Sequence, residues 1–329
     1  TELRQRLVPL VEAIAGSPMS ASADPILELD YDLAAQEAFG RQVLEDVGFD
    51  MAAGRLDVAV HPFCSGTHPG DVRLTTRYSL NHLDSALFGT IHEAGHGLYE
   101  QGLPADAEGL PVGSAVSLGI HESQSRMWEN MVGRSREFWV HYLPRAVEHF
   151  PGQLGGVDVD RLYAAVNRVE ASLIRVEADE VTYNLHILLR YELEKALMEG
   201  ELQVADLPVA WDDRMDAYLG IRPDSDANGV LQDIHWSVGL IGYFPTYTLG
   251  NLYAAQLYRQ ASAALPELPQ RIASGDMTAL LQWLREQIHS RGCRLKATDL
   301  VREVTGEPLR VDYLMEYLEG KFRPLYGLE

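Results

Sequence analysis

The chain has 329 residues, and its 48 acidic against 27 basic side chains give a formal net charge of −21. This acidity excludes a nucleic-acid-binding protein that works by neutralising phosphates, and it disfavours docking on an anionic membrane surface. An apolar fraction of 46% is ordinary for a globular protein and too high for an intrinsically disordered chain.

The apolar runs and the cysteine count of the sequence bear on where the protein is located. No run approaches about 18 consecutive apolar residues, so no membrane span is predicted. The two cysteines, Cys64 and Cys293, are too few for a disulfide framework, which indicates a reducing compartment. We therefore expect a cytoplasmic protein.

Helical periodicity dominates the chain from its first residues. A small, polar loop is predicted over 16–24, and the two best strand candidates, 55–60 and 71–78, flank a turn-rich segment at 64–70. These strands predict a small β-hairpin or ribbon. Helices are predicted over 2–15, 32–47, 81–101, 115–147 (one or two), 158–199 (broken once), 206–219, 236–262, 277–290 and near 310–320. Without a visible repeat or linker, the pattern indicates one mainly α-helical domain over 1–329.

The strongest local feature is the HExxH motif formed by His92, Glu93 and His96. Residues four apart lie on the same face of a helix, so both imidazoles can bind one metal ion. Glu93 is placed to act on a water molecule beside the ion rather than to ligate it. Gly95 and Gly97 are poor helix formers, and they indicate a backbone that leaves room for a substrate or another helix.

A zinc site of this kind needs a third protein ligand. The HExxHxxGxxH extension is absent, because Tyr99 stands where its glycine would be. The alternative is a glutamate on the next predicted helix, across a loop rich in Gly and Pro. Glu122, 26 residues after His96, and Glu129, two turns further on, are the two candidates.

Seven motifs, in this order, resemble the thermostable carboxypeptidase Taq family of metallocarboxypeptidases. They are HPF at 61–63, DVRLT at 71–75, HEAGH at 92–96, HESQ at 121–124, IRP at 221–223, GVLQDIHW at 229–236 and GYFPTYTLG at 242–250. The resemblance implies a helical gluzincin fold, similar in its core to angiotensin-converting enzyme and neurolysin. It also implies one divalent metal ion per chain, Zn2+ or Co2+, and homodimers. Family members are usually longer at the amino end, so we expect a form that lacks their N-terminal helical lid.

Carried over residue by residue, the resemblance makes His92, His96 and Glu122 the metal ligands and Glu93 the general base. In the similar helical peptidases a His and a Tyr, both well after the metal motif, donate to the oxyanion. The candidates in this chain are His235 with Tyr243 or Tyr247.

Recognition of a free carboxylate calls for an arginine, because its planar fork binds carboxylates through two parallel hydrogen bonds. Arg222 is the first candidate and Arg73 the second. His61 is a candidate for lining the substrate groove, with a structural turn histidine as the alternative. His68, His82, His141, His186 and His289 are expected to be structural.

These observations predict a metal-dependent carboxypeptidase of broad specificity, acting on peptides and not on nucleic acids or membranes. The alternatives are a related oligopeptidase or dipeptidyl carboxypeptidase, and a metal-binding scaffold of little activity.

Overall fold

A computed structural model describes residues 1–20 and 24–328. Helices make up 63% and strands 5% of the structure, which confirms the predicted mainly helical class. Within the described residues, no helix combines the length and the apolar character needed to cross a membrane. Residues 21–23 of the predicted loop 16–24 lie outside the described residues.

The helices match most of the predicted elements. In chain order they are α1 (Glu2–Ala15), α2 (Leu33–Asp46), α3 (Leu83–Gly102), α4 (Leu118–Arg126), α5 (Arg136–His149), α6 (Pro151–Leu154), α7 (Val159–Val166), α8 (Tyr183–Met198), α9 (Leu207–Leu219), α10 (Pro245–Ala264), α11 (Leu268–Ser274), α12 (Thr278–Gln287), α13 (Ala297–Thr305) and α14 (Asp312–Leu325). The strands are β1 (Gly54–Val58), β2 (Cys64–His68) and β3 (Asp71–Thr76).

The chain divides into two compact units. One contains Asp24–Val166 and Gly250–Arg310; the other contains Thr1–Ala23, Asn167–Leu249 and Val311–Glu329. We call them the sheet unit and the α8 unit.

The sheet unit holds a three-stranded sheet in the order β1-β3-β2. The predicted small β-hairpin or ribbon is present as this sheet, but its two predicted strands do not form a hairpin with each other, because β1 pairs with β3 in parallel. The antiparallel partner of β3 is β2, which lies in the segment predicted to be a turn. Only Pro69 and Gly70 remain for the turn itself. The exposed, polar character of β2 hid it, because an edge strand needs backbone pairing but no buried face.

Helix α3 packs on β3, α2 and α4. Its contact with α4 is close at Gly95, where an added Cβ would lie 2.5 Å from the Cα of Ser125. Gly97 likewise leaves room for the ring of Phe49, which would lie 2.6 Å from an added Cβ. The two glycines therefore admit neighbouring elements, as the sequence indicated.

In the α8 unit, Thr1 caps the start of α1, and its hydroxyl accepts from the Arg4 amide at 3.4 Å. Its buried stripe follows the predicted spacing: Leu3, Leu7, Leu10, Val11 and Ile14.

Two of the predicted helices are too long. The stretch 158–199 is broken as predicted, but the break is long: α-helix is confined to α7 and α8, and a 3₁₀ turn covers Arg175–Glu177 between them. Just before α8, the Asp179 carboxylate accepts from the amides of Val181 and Thr182 at 2.9 and 3.0 Å. Such side-chain bonds compete with helix formation. The helix predicted over 236–262 begins only at Pro245, after positive φ angles at Gly239 and Gly242.

Candidate metal centre

The centre is built on α3 and α4 of the sheet unit. His92, His96 and Glu122 each offer a ligand atom, and these atoms all lie within 4.8 Å of one another. The Oε2 atom of Glu122 is 3.4 Å from His96 Nε2 and 3.7 Å from His92 Nε2. The two predicted histidines and the first of the two candidate glutamates therefore meet at one point.

The spacing suits a tetrahedral ion. With bonds of about 2.0–2.1 Å, tetrahedral ligand atoms are roughly 3.4 Å apart. The distances from Glu122 to the two imidazoles are 3.4 and 3.7 Å, close to that value. Two neutral imidazoles and a carboxylate are also a donor set that zinc accepts in catalytic sites.

Glu129 orients His92. Its Oε2 atom lies 2.9 Å from His92 Nδ1, so it accepts the Nδ1 proton and leaves Nε2 for an ion. Glu129 stands in a π-helical segment, Met127–Gly133, that continues α4 without a break. The wide turn brings Arg134, five residues on, within 3.4 Å of Glu129 Oε1.

His96 is oriented by a second chain of contacts. Its Nδ1 atom lies 3.1 Å from the carbonyl oxygen of His121 and 2.6 Å from His121 Nδ1. His121 Nε2 in turn lies 2.7 Å from Glu100 Oε1. When His121 donates to Glu100, its Nδ1 lone pair accepts from His96, which keeps His96 Nε2 unprotonated.

Arg126 and Arg134 neutralise the buried carboxylates of Glu122 and Glu129. Arg126 donates to Glu122 Oε1 at 2.8 Å and to Glu129 Oε2 at 3.0 Å. Burial would raise the pKa of Glu122, but the charges of Arg126 and His92 outweigh it and hold that pKa well below its ordinary value. Against the same burial, Arg126 and the bond to His92 lower the pKa of Glu129 to about 2. Both carboxylates are therefore ionised at neutral pH.

Glu93 differs from these two carboxylates. It is 6% exposed, and burial, reinforced by the charges of Glu122 and Glu129, raises its pKa to about 7. Burial also lowers the pKa of His96 to about 4, which keeps its imidazole neutral. A carboxyl group of this kind can take up and release a proton near neutrality.

The supporting roles of Arg126, His121 and Glu100 were not predicted from the sequence. Their signal was spacing: Arg126 follows Glu122 by four residues, and Glu100 follows His96 by four. Such pairs lie on one helix face, but most are solvated, so the spacing alone could not single them out.

In the α8 unit, the structure brings His235, Tyr243 and Tyr247 together. His235 Nε2 lies 3.0 Å from the Tyr247 hydroxyl, and the His235 and Tyr243 rings are 5.4 Å apart. His235 is 8% exposed. Burial and the charge of Arg175 lower its pKa, so the imidazole is neutral at pH 7.

The predicted substrate-binding residues lie at the surface. Arg222, in the α8 unit, donates to Asp213 and Asp216 of α9 at 2.9 and 3.2 Å. In the sheet unit, Arg73 makes two 2.9 Å bonds to Asp71, and His61 is exposed just after β1. A substrate carboxylate would have to compete with these aspartates for either arginine.

Comparisons with known proteins bear on what such a site does. A family model described as carboxypeptidase Taq (M32) metallopeptidase matches residues 1–322. The chain is 51% identical over 326 residues to thermostable carboxypeptidase 1 of Thermus thermophilus, covering 99% of this chain and 64% of that protein. It is 42% identical to carboxypeptidase 1 of Bacillus subtilis, covering 99% and 65%.

A solved structure is also similar to this chain. The M32 carboxypeptidase from Deinococcus radiodurans matches with a TM-score of 0.96 and 45% identity, over 99% of this chain and 66% of that one. The chain thus spans 64% and 65% of the length of the two curated relatives just described.

Proposed function

The chain belongs to the carboxypeptidase Taq (M32) family of metallopeptidases, and on that premise we propose that it is a metal-dependent carboxypeptidase. It would release residues from the C-terminus of peptides with broad specificity. The observation that carries the proposal is the convergence of His92, His96 and Glu122 at the spacing of a tetrahedral ion.

We propose zinc as the ion, with cobalt as the alternative, because two imidazoles and one carboxylate suit both. A divalent ion held there would supply Lewis acidity toward a peptide carbonyl and a water molecule. Glu129 and His121 fix which imidazole nitrogen faces the ion. Glu93 takes the proton from the attacking water and then delivers it to the leaving amine.

The remaining roles rest on the family resemblance. His235, with Tyr243 and Tyr247, is proposed to donate to the oxyanion that forms at the attacked carbonyl. The neutral imidazole of His235 and its 3.0 Å contact with the Tyr247 hydroxyl support this role. Arg222 or Arg73 is proposed to bind the substrate carboxylate, and His61 to line the groove.

Homodimer assembly, a cytoplasmic location and one catalytic domain over 1–329 are likewise proposals. The free cysteines Cys64 and Cys293 support the reducing compartment.

The test couples metal analysis to mass spectrometry of a digested peptide. The wild-type protein should bind one equivalent of metal and produce a ladder that loses one residue at a time from the C-terminus. Glu93→Gln should keep the metal and lose about 10²–10⁴-fold in kcat, because the base is gone while the ligands remain. Glu148→Gln, a change on α5, is the matched control and should keep full activity.

Blocking the substrate's C-terminus as an amide separates the alternatives. Amidation should abolish cleavage by a carboxypeptidase, whereas an oligopeptidase would still cut internally. Loss of residues two at a time would show a dipeptidyl carboxypeptidase. A protein with its metal that cleaves no peptide, or a Glu93→Gln variant with full activity, would refute the proposed function.

A further inference from the structure

One face of α8 carries polar residues that are buried rather than solvated. His186, Arg190 and Glu194 follow one another at intervals of four, so they lie along the same side of the helix. Arg190 and His186 are 0% exposed and Glu194 is 6% exposed. Burying charged side chains is costly unless each one is paired, so this face needs a polar partner.

The partner of Glu194 is the segment 232–242, which carries His235. Glu194 Oε2 accepts from the indole Nε1 of Trp236 at 2.7 Å. Its Oε1 accepts from the backbone amide of Gly242, also at 2.7 Å. A single carboxylate thus joins two points of the segment that are six residues apart.

A second set of hydrogen bonds, to Gln232 and Asp233, holds the start of the segment. Arg190 donates from Nε to Asp233 Oδ2 at 2.5 Å, and Arg175 donates from Nη2 to Asp233 Oδ1 at 2.7 Å. The backbone amide of Arg175 also donates to Gln232 Oε1 at 2.9 Å. His235 stands between the two sets of hydrogen bonds, two residues after Asp233 and one before Trp236.

Apolar packing does little to hold the turn 237–242, which lies between the two residues bonded by Glu194. Every residue from 237 to 242 is exposed, including Val238 at 60% and Ile241 at 51%. Gly239 and Gly242 both have a φ of +79°. Glycine can adopt many other backbone conformations, so these residues can change conformation once a Glu194 bond is lost. The path of the turn therefore depends on its own backbone bonds and on Glu194.

We propose that Glu194, assisted by Arg190, is a positioning residue that fixes the 232–242 segment and thereby holds the imidazole of His235 against the Tyr247 hydroxyl. The inference rests on the role proposed above for His235. It adds that this role depends on α8, through side chains that have no part in the chemistry themselves.

The test uses Glu194→Gln in the full chain loaded with zinc. Glutamine keeps the shape, but its NH2 group faces one of two N–H donors, so one of the two bonds is lost. The matched control is Glu192→Gln, on the same helix, which loses charge toward Arg4 and the Tyr218 hydroxyl without touching the segment. A milder variant, Trp236→Phe, removes one donor and keeps the Gly242 bond.

Each variant is characterised by three measurements: hydrogen exchange of the Gly242 amide, the ¹⁵N chemical shift of His235 Nε2, and steady-state kinetics. In Glu194→Gln, exchange should rise about 10-fold or more, because a charge-assisted bond is weakened. The His235 resonance should move, and kcat should fall about 10-fold with little change in KM. Trp236→Phe should show a smaller effect, and Glu192→Gln none.

Failure of this inference is distinct from failure of the proposed function. An unmoved His235 resonance, or faster Gly242 exchange that leaves kcat at the wild-type value, would overturn the positioning role while wild-type activity stands. If the wild-type protein cleaves no peptide, the proposed function fails, and the exchange and ¹⁵N data still decide whether Glu194 holds His235.

Discussion

Replacing Glu129 with glutamine should weaken metal binding without unfolding the protein. Glu129 accepts the His92 Nδ1 proton at 2.9 Å and also pairs with Arg126 at 3.0 Å. Glutamine keeps the length of the side chain and an oxygen for His92, but it removes the charge that makes the imidazole a better donor to the ion.

The magnitude follows from the bonds that change. A hydrogen bond to a charged group contributes about 1.5–3 kcal/mol, against about 0.5–1.5 kcal/mol for a neutral one. The difference of about 1–2 kcal/mol corresponds to roughly 5- to 30-fold in affinity. Arg126 and Arg134 would also lose a buried counter-charge and repel the dication. We therefore expect zinc affinity to fall about 10- to 100-fold.

The assay is competition for zinc with a fluorescent chelator at pH 7, with circular dichroism to show that Glu129→Gln is folded. Glu148→Gln, on α5, is the charge-matched control and should bind as the parent does. A Glu129→Gln affinity within about twofold of the parent would refute the reasoning, because the carboxylate would then contribute nothing through His92.

Two further predictions concern packing and pH. Gly95→Ala should destabilise the protein by about 1–3 kcal/mol and weaken metal binding, because the new methyl group meets the α4 backbone at Ser125. The control is Gly152→Ala, since an added Cβ at Gly152 has nothing within 4 Å. Equal unfolding midpoints of the two variants in urea would contradict the prediction. Burial lowers the pKa of His289 from its ordinary 6.5 to about 3. Between these two pH values His289 is protonated in the unfolded chain but neutral in the folded chain, so the free energy of unfolding falls as the pH falls. At pH 5 this one group costs about 2 kcal/mol relative to pH 7. His289→Gln should therefore lose about 2 kcal/mol less than the parent between pH 7 and 5 in urea unfolding, and equal losses would show that His289 is not the group responsible.

Two of the three candidate metal ligands could be predicted from local geometry. The HExxH spacing places His92 and His96 on one helix face whatever surrounds the helix. The choice between Glu122 and Glu129 was not local, since it depends on how α3 meets α4. That contact is set by Gly95 and by the π-helical turn after Arg126, whose sequence has no clear signature.

Elements held by long-range pairing were predicted poorly. The segment that forms β2 has the composition of a turn, and it becomes a strand because the free edge of β3 offers backbone partners. The residues before Pro245 have helical periodicity, yet Glu194 and the φ angles of Gly239 and Gly242 hold them in turns. In both cases a distant partner outweighs the local preference.

The π-helical segment Met127–Gly133 also restricts how this part of the chain can change in length. A π-turn behaves as an α-helix with one inserted residue, so deleting a residue there would restore regular winding. Everything beyond a deletion between Glu129 and Arg134 would keep its orientation, because Arg134, then four residues after Glu129, would still lie on the same face of the helix. A single-residue deletion between Glu129 and Arg134 should therefore be tolerated, whereas a second deletion would rotate everything beyond it by about 100° about the helix axis and turn Arg134 away from Glu129.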